Sequence, residues 1–315
     1  MKNNSKIYPI ISFCLVILIT FLLLSVLVPK SLKAEDPQVF VVKKGLGAVE
    51  IARELKSRNL ISNEFSFLFY VFFTGRSGRL QTGGYLISPS MSIRRIAKKF
   101  VLGDRDMQKI TVLEGWNLKD IGDYFESLSI IKKKDFLASV DKTLEGYLFP
   151  DTYNIDMGMD VKDILKIMKD NFDQKLSAAL KKDIEKQGKK VNNIVIMASI
   201  LEREVRTLDD KKIVSGILWK RMKAGMPLQV DASITYFTNR TPVTIADTKI
   251  DSPYNTYKYQ GLPQGPISNP GLDSLIAAIY PKTSPYWYYL SAPSGKTIFS
   301  KTLEEHAIAK NTYLR

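Results

Sequence analysis

The sequence predicts an α+β protein: a single N-terminal transmembrane helix, a small α/β subdomain, then a larger α+β region holding the candidate site. Three observations carry that prediction. An uncharged apolar run opens the chain at Ile7–Val28. A strand–turn–helix pattern then occurs three times between Phe40 and Phe125. Beyond it, helix-like and strand-like segments surround a loop dense in Gly, Pro and Tyr. The expected boundaries are 1–6 for a cytoplasmic tail, 7–29 for the anchor, 35–105 for the subdomain and 106–315 for the remainder.

The run IYPIISFCLVILITFLLLSVLV has 22 residues. As a helix rising ~1.5 Å per residue it spans a hydrocarbon core of about 30 Å. A signal-peptide core is shorter, about 7–15 residues, and Leu32-Lys33-Ala34 is a poor cleavage site. An uncleaved anchor is therefore expected, with a cleaved signal as the alternative. Lys2 and Lys6 precede the run, and Lys30 and Lys33 follow it, so the positive-inside rule gives a near tie. The short tail and large body favour the N-terminus inside and the body outside. Cys14 is read as an apolar filler of the span.

The length of 315 residues accommodates two domains at roughly 150 residues each. Hydrophobic content of 45% and charged content of 25% exclude a disordered, collagen-like or multi-span chain. One Cys excludes an intramolecular disulfide and a cysteine-based zinc site, and one His excludes a multi-histidine metal site. His306 is the only histidine a Ser-His-Asp triad could use. Removing the four lysines of residues 1–34 leaves 42 basic residues against 32 acidic ones. Such a balance favours nucleic acid, lipid headgroups or an anionic wall polymer as partner, and equally fits a surface kept basic for solubility. A body outside the membrane weakens the nucleic-acid reading.

Three segments share one apolar spacing: Val42, Leu46, Ala48, Ile51, Ala52 and Leu55; Ile87, Met91, Ile93, Ile96, Ala97 and Phe100; Val112, Trp116, Leu118, Ile121, Gly122 and Phe125. Each set follows a short β-favouring stretch and then takes the offsets of one helix face. Any small α+β unit yields this pattern. VKKGLGAVEIARELKSRNLI and VLEGWNLKDIGDYF also resemble the glycan-binding LysM pattern, without its usual Asp-Thr after the glycine. The aromatic run Phe65–Phe73 is read as core, since exposed aromatic runs of that size are unusual.

LEGYLFPDTY, residues 144–153, packs Gly, Pro, three aromatics and two carboxylates into ten positions. It is either a tight corner or the wall of a site. Ile194 to Leu201 is apolar on every side except Ser199, which marks a buried helix. Glu202 and Glu204 emerge near its end. At ~100° per residue they point apart. Apolar walls and the negative helix end both raise a carboxyl pKa, the condition a general acid needs near neutral pH. The competing reading is an ordinary surface end pairing with Arg203, Arg206 or Lys212. A further helix is expected from the Thr207 cap to Gly225, with Met226–Ser233 as a loop or short strand.

Ser252–Gly271 holds four prolines, three glycines and three tyrosines, which excludes a helix or a central strand. Its rings and amides suit sugars; a rigid loop with packed tyrosines is the alternative. Asn269 and Pro270 read as N-cap and first residue of a helix. Tyr286–Leu290 and Thr297–Phe299 read as a hairpin, and Thr302 as the cap of a terminal helix. His306, in its first turn, is read as a hydrogen-bonded structural histidine.

ASILEREV, GMPLQVDASITY, SPYNTYKYQGLPQGPISNPG and the terminal hairpin and helix, with LEGYLFPDTY before them, resemble the YceG-like endolytic murein transglycosylases from about Phe40 onward. The resemblance implies that Glu204, the second acid of the Glu-basic-Glu motif, is catalytic. It implicates Glu202, Gln229, Asp231, Tyr254, Asn255, Tyr257 and Glu145 in substrate binding. Valine follows Glu204 where relatives commonly have threonine. The implied reaction cleaves the bond between N-acetylmuramic acid and N-acetylglucosamine in nascent glycan strands. The muramic C6 hydroxyl attacks C1, giving a 1,6-anhydro end and ending strand elongation. No cofactor or metal is implied. The implied partners are peptidoglycan glycan strands, the inner membrane through one helix, and cell-wall synthases, although no segment reads as a synthase docking site. Alternatives are a hydrolytic muramidase, a non-catalytic glycan-binding scaffold and, weakest, a nucleic-acid binder, for which no reading motif is present.

Overall fold

The computed structural model describes residues 7–314, apart from the side chains of residues 7–11, 14, 15 and 18. The tail expected over residues 1–6 lies outside the described residues. The chain divides into two compact units. One runs to Ile110 and takes in Tyr153–Asp160; the other comprises Thr111–Thr152 and the chain from Val161 onward.

The first unit opens with α1 (Ile7–Leu27), whose sequence is mostly apolar and carries no charge. Counting only residues whose side chains are described, which leaves out eight of the 21 in α1, no helix is long and apolar enough to cross a membrane. Then come β1 (Gln38–Val42), α2 (Ala48–Ser57), α3 (Glu64–Phe73), β2 (Gly83–Ile87) and α4 (Ile93–Leu102). β1 and β2 pair antiparallel, with Phe40 opposite Tyr85. The apolar offsets of α2 and α4 face inward as their spacing predicts: Ile51, Ala52, Leu55, Ile96, Ala97 and Phe100 are all buried. Phe100 centres an aromatic cluster, 4.7 Å from Tyr85, 5.7 Å from Phe40 and 6.4 Å from Phe67 between ring centroids. β3 (Met107–Thr111) pairs with β4 (Thr152–Asp156), the segment by which the chain returns to this unit.

α3 corrects one expectation. Ser66, Phe67 and Val71 are buried, but Phe65, Phe72 and Phe73 are 67%, 58% and 80% exposed. A short helix packed from one side buries one stripe. A sequence apolar on every side leaves the rest uncovered.

The second unit is mainly helical: α5 (Leu118–Ser127), α6 (Lys133–Ser139), α7 (Val161–Lys175), α8 (Ala178–Lys186), α9 (Val191–Glu204), α10 (Leu208–Lys223), α11 (Asp231–Thr238), α12 (Leu272–Ile279) and α13 (Leu303–Tyr313). β5 (Tyr288–Ser291) and β6 (Thr297–Ser300) form the expected hairpin. α9 is the axis of this unit. Every residue from Ile194 to Leu201 is buried, and α8, α10, α11 and α12 pack around it. Each buried Ile, Leu or Met contributes about 1.5–3 kcal/mol. Ser199, the single polar group of that stretch, is used by the Gly/Pro/Tyr loop. Its Oγ accepts from the Ile267 N–H at 3.0 Å, and its carbonyl accepts from Ser268 Oγ at 3.1 Å. The loop is thus stitched to the helix that ends in the two glutamates.

Asn269 also serves this stitching and does not cap a helix. Its side chain accepts from the Leu148 N–H and donates to the Trp116 carbonyl, both at 2.9 Å. α12 begins two residues later than expected, behind Gly271. Gly146 makes LEGYLFP a tight corner: its φ is +83°, and a Cβ there would stand 2.5 Å from Pro266 Cβ. Met226–Ser233 is only partly the expected loop, because α11 starts at Asp231.

Candidate active site

Glu204 is the last residue of α9; Val205 turns the backbone out to an extended conformation. The buried helix therefore delivers its final carboxylate to the lining of a cavity of ≈ 550 Å³, a size suited to a small ligand or part of a polymer. The Tyr289 hydroxyl donates to Glu204 Oε2 at 3.1 Å, and the Ala232 N–H makes a long contact of 3.5 Å to Oε1. The Glu204 carbonyl accepts from Ser291 Oγ at 2.8 Å, tying the helix end to β5. Burial pushes the Glu204 carboxyl up to about 7, with Asp231 adding to the rise and the Tyr289 and Ala232 hydrogen bonds opposing it. Desolvation dominates because two hydrogen bonds replace less than a full hydration shell.

Gln229, Asp231 and Tyr257 line the same cavity. Gln229 holds a left-handed backbone, φ +53°, and its N–H donates to the Thr256 carbonyl at 3.0 Å. Such a conformation for a non-glycine residue is held by its surroundings. Asp231 opens α11, and its Oδ1 accepts from the Tyr257 hydroxyl at 2.5 Å. Burial, then Asp231, raises the Tyr257 phenol and keeps it a donor.

The other site residues expected from the sequence stand elsewhere. Glu202 points away from Glu204, as the helical angle requires, into a buried ion pair. Its Oε1 is 2.9 Å from Lys211 Nζ, with the two side chains 7% and 4% exposed. Its Oε2 accepts from the Gly271 N–H and Ser274 Oγ, both at 2.8 Å. The partner is Lys211, one residue before Lys212. Asn255 is buried and consumed by its own turn. It donates to the Thr248 and Ile250 carbonyls and accepts from the N–H groups of Tyr257 and Lys258. Glu145 and Tyr254 line a second cavity of ≈ 580 Å³ with Lys142, Lys169, Asn192 and Gln264. Glu145 is buried, accepts from the Leu118 N–H and the Tyr236 hydroxyl, and is pushed up to about 7 by burial. LEGYLFP is thus both corner and wall.

Sequence reasoning missed Tyr288, Tyr289 and Arg221, which also line the first cavity. The hairpin was legible, but which of its aromatics faces inward is decided by the sheet's contact with α9. Arg221 is buried and donates to the Trp287 and Leu228 carbonyls at 2.9 and 2.8 Å, with its head 5.1 Å from the Tyr288 ring. His306 also lines the cavity, its ring stacked 5.3 Å from Tyr288. Its Nδ1 has no hydrogen-bond partner among the described residues, which corrects the expectation of a hydrogen-bonded structural histidine. Among the described residues no group of His, Cys, Asp or Glu could hold a metal ion.

The arrangement is a protonatable carboxyl beside a phenol, an amide and a second carboxylate, in a partly apolar cavity. It suits proton transfer to an oxygen leaving group.

Residues 40–312 match the model of the YceG-like family. The chain is 32% identical over 303 residues to the endolytic murein transglycosylase of Bacillus subtilis, covering 87% of this chain and 84% of that one. It is 28% identical to the endolytic murein transglycosylase of Streptococcus pneumoniae, covering 84% of this chain and 56% of the relative's length. A crystal structure of a protein described as yceG-like from Listeria monocytogenes superposes with a TM-score of 0.59 at 32% identity, covering 88% of this chain and 100% of that one.

Proposed function

The chain belongs to the YceG-like family, and from that premise we propose that it is a membrane-anchored lytic transglycosylase. It cuts nascent peptidoglycan strands internally, between N-acetylmuramic acid and N-acetylglucosamine. Its relatives are named for endolytic action on murein. The observation that carries the reading is the Glu204 carboxyl, pushed up to about 7 at the wall of a cavity.

In the proposed reaction Glu204 donates its proton to the glycosidic oxygen as the bond to C1 breaks. The resulting carboxylate takes the proton of the muramic C6 hydroxyl as that oxygen bonds to C1. The products are a 1,6-anhydro end and a new N-acetylglucosamine terminus, and no water is consumed. Gln229, Asp231 and Tyr257 bind the sugars around the cleaved bond. Tyr254 and Glu145 bind the strand at the second cavity. Glu202 and Asn255, whose polar atoms are engaged internally, support the site by holding α9, α12 and the loop in place. Tyr289 positions the Glu204 carboxyl.

Hydrolysis is the competing reading, because Asp231 lines the same cavity and glycoside hydrolases pair two carboxylates. The apolar α1 sequence supports a single-pass inner-membrane anchor, with the body facing the wall where glycan is made. Cell-wall synthases are proposed partners on family grounds; nucleic acid is not.

The test offers nascent, uncrosslinked strands to the full chain and to Glu204→Gln. Internal cleavage is expected from the first and none from the second. Cleavage by a folded Glu204→Gln would remove Glu204 from its role.

A further inference from the structure

We propose that α3 lies in the headgroup region of the bilayer and inserts its exposed aromatic stripe among the lipids. Unit 1 is then held on the membrane along a surface as well as by the anchor. The inference rests on the reading of α1 as that anchor.

Phe65, Phe69, Phe72 and Phe73 fall at i, i+4, i+7 and i+8 on α3, which is one face of a helix. Phe65, Phe72 and Phe73 are exposed, and Phe69 stacks on Phe73 at 5.4 Å. The opposite face is already committed: Ser66, Phe67 and Val71 are buried in the unit. The stripe is therefore not a core in waiting. An apolar patch of this kind on a folded unit marks an interaction site.

Two observations select lipid as the occupant. The first is continuity with α1. Ser25 Oγ donates to Ser66 Oγ at 2.7 Å, and Val26 joins the core that contains Phe67 and Val71. Lys30, just past α1, donates to the Asn59 carbonyl at 2.8 Å. α3 thus starts where α1 ends, and the exposed Phe21, Leu24 and Leu27 carry apolar surface up to it. A helix leaving a bilayer places this junction at the headgroups.

The second is charge. From Phe65 to Gly103 the chain carries Arg76, Arg79, Arg94, Arg95, Lys98 and Lys99 and no Asp or Glu; Lys99 is paired with Asp106 at 2.8 Å, which leaves five basic side chains for the surface. Glu64, at the first turn of α3, is that helix's one carboxylate. Aromatic rings beside basic residues are what an anionic membrane surface attracts. A second copy of the chain would cover the rings but oppose like charges.

The test uses the full chain in vesicles of phosphatidylglycerol and phosphatidylethanolamine. Cys14 is the only cysteine, so Cys14→Ser provides a background for single nitroxide labels at Phe72→Cys, Phe21→Cys and Ser57→Cys. Collision with dissolved oxygen and with a water-soluble nickel chelate is read at each. Labels at 72 and 21 are expected to favour oxygen, and the label at the exposed Ser57 to favour the chelate. Chelate preference at 72 with oxygen preference at 21 would overturn the inference and leave the anchor standing. Chelate preference at both would overturn the anchor as well. An immobilised label at 72 that neither reagent reaches would identify a protein contact and also overturn it. Phe73→Cys, at an equally exposed position, repeats the reading should Phe72→Cys not fold.

Discussion

Glu202→Gln and Glu204→Gln, two residues apart on α9, should move stability in opposite directions at pH 8. Glu202 neutralises Lys211 where both side chains are nearly inaccessible. The amide keeps an acceptor for Gly271 and Ser274 but leaves the ammonium without its counter-charge. Breaking a buried pair from one side costs ~3–5 kcal/mol. Glu204 is the reverse case. Its carboxyl titrates at about 7 in the folded chain against an ordinary 4.5, so the native state binds the proton more tightly than the unfolded one. Stability therefore falls as pH rises from about 4.5 to about 7 and stays low above; at ~1.36 kcal/mol per pH unit the loss is ~3 kcal/mol. An amide cannot ionise, so Glu204→Gln recovers up to that amount at pH 8 and nothing at pH 4. The assay is urea unfolding of the detergent-solubilised chain followed by tryptophan fluorescence. Trp116, Trp219 and Trp287 all belong to the second unit, so the signal reports that unit alone. A Glu204→Gln variant less stable than the parent at pH 8, or a gap that persists at pH 4, would refute the desolvation argument. A neutral Glu202→Gln would refute the buried pair.

The same carboxyl sets the pH dependence of turnover. Because Glu204 must begin protonated, kcat/KM on glycan strands should fall as pH rises through about 7; a plateau to pH 9 would contradict this. Tyr289→Phe removes the 3.1 Å donor that favours the carboxylate. At ~1.5 kcal/mol for a hydrogen bond to a charged group, the basic limb should move up by about one pH unit, and a downward shift would show that the phenol stabilises the acid form instead. Gly146→Ala forces a side chain onto Pro266 at φ +83° and should lower urea stability by ~1–3 kcal/mol; an unchanged midpoint would mean that the corner relaxes.

Where a local rule governs, the residues were legible. The offsets in α2, α4 and α5 named their buried faces, because those helices pack on one side and the period of 3.6 selects that side. Two glutamates two residues apart had to diverge, which separates the Lys211 pair from the cavity before any partner is known. Partners were not legible: Tyr289 reaches Glu204 across 85 positions, and Gly271 reaches Glu202 across 69. Asn269 carried a good capping signal and lost it to long-range bonds with Leu148 and Trp116. The phenylalanines of α3 carried no phase information, since a run apolar on every side does not say which face is covered. His306 looked isolated in the sequence because Tyr288, the ring it stacks on, comes from the hairpin.

In the proposed reaction Glu204 serves as acid and then base in an intramolecular displacement at C1. The most direct test is the mass of the new ends when uncrosslinked glycan strands are digested by the full chain. Internal fragments ending in 1,6-anhydromuramic acid, lighter by one water than reducing ends, are expected from the parent chain, and no fragments from Glu204→Gln. Reducing ends from the parent chain would place water at C1 and turn the assignment toward hydrolysis with Asp231 as second carboxylate.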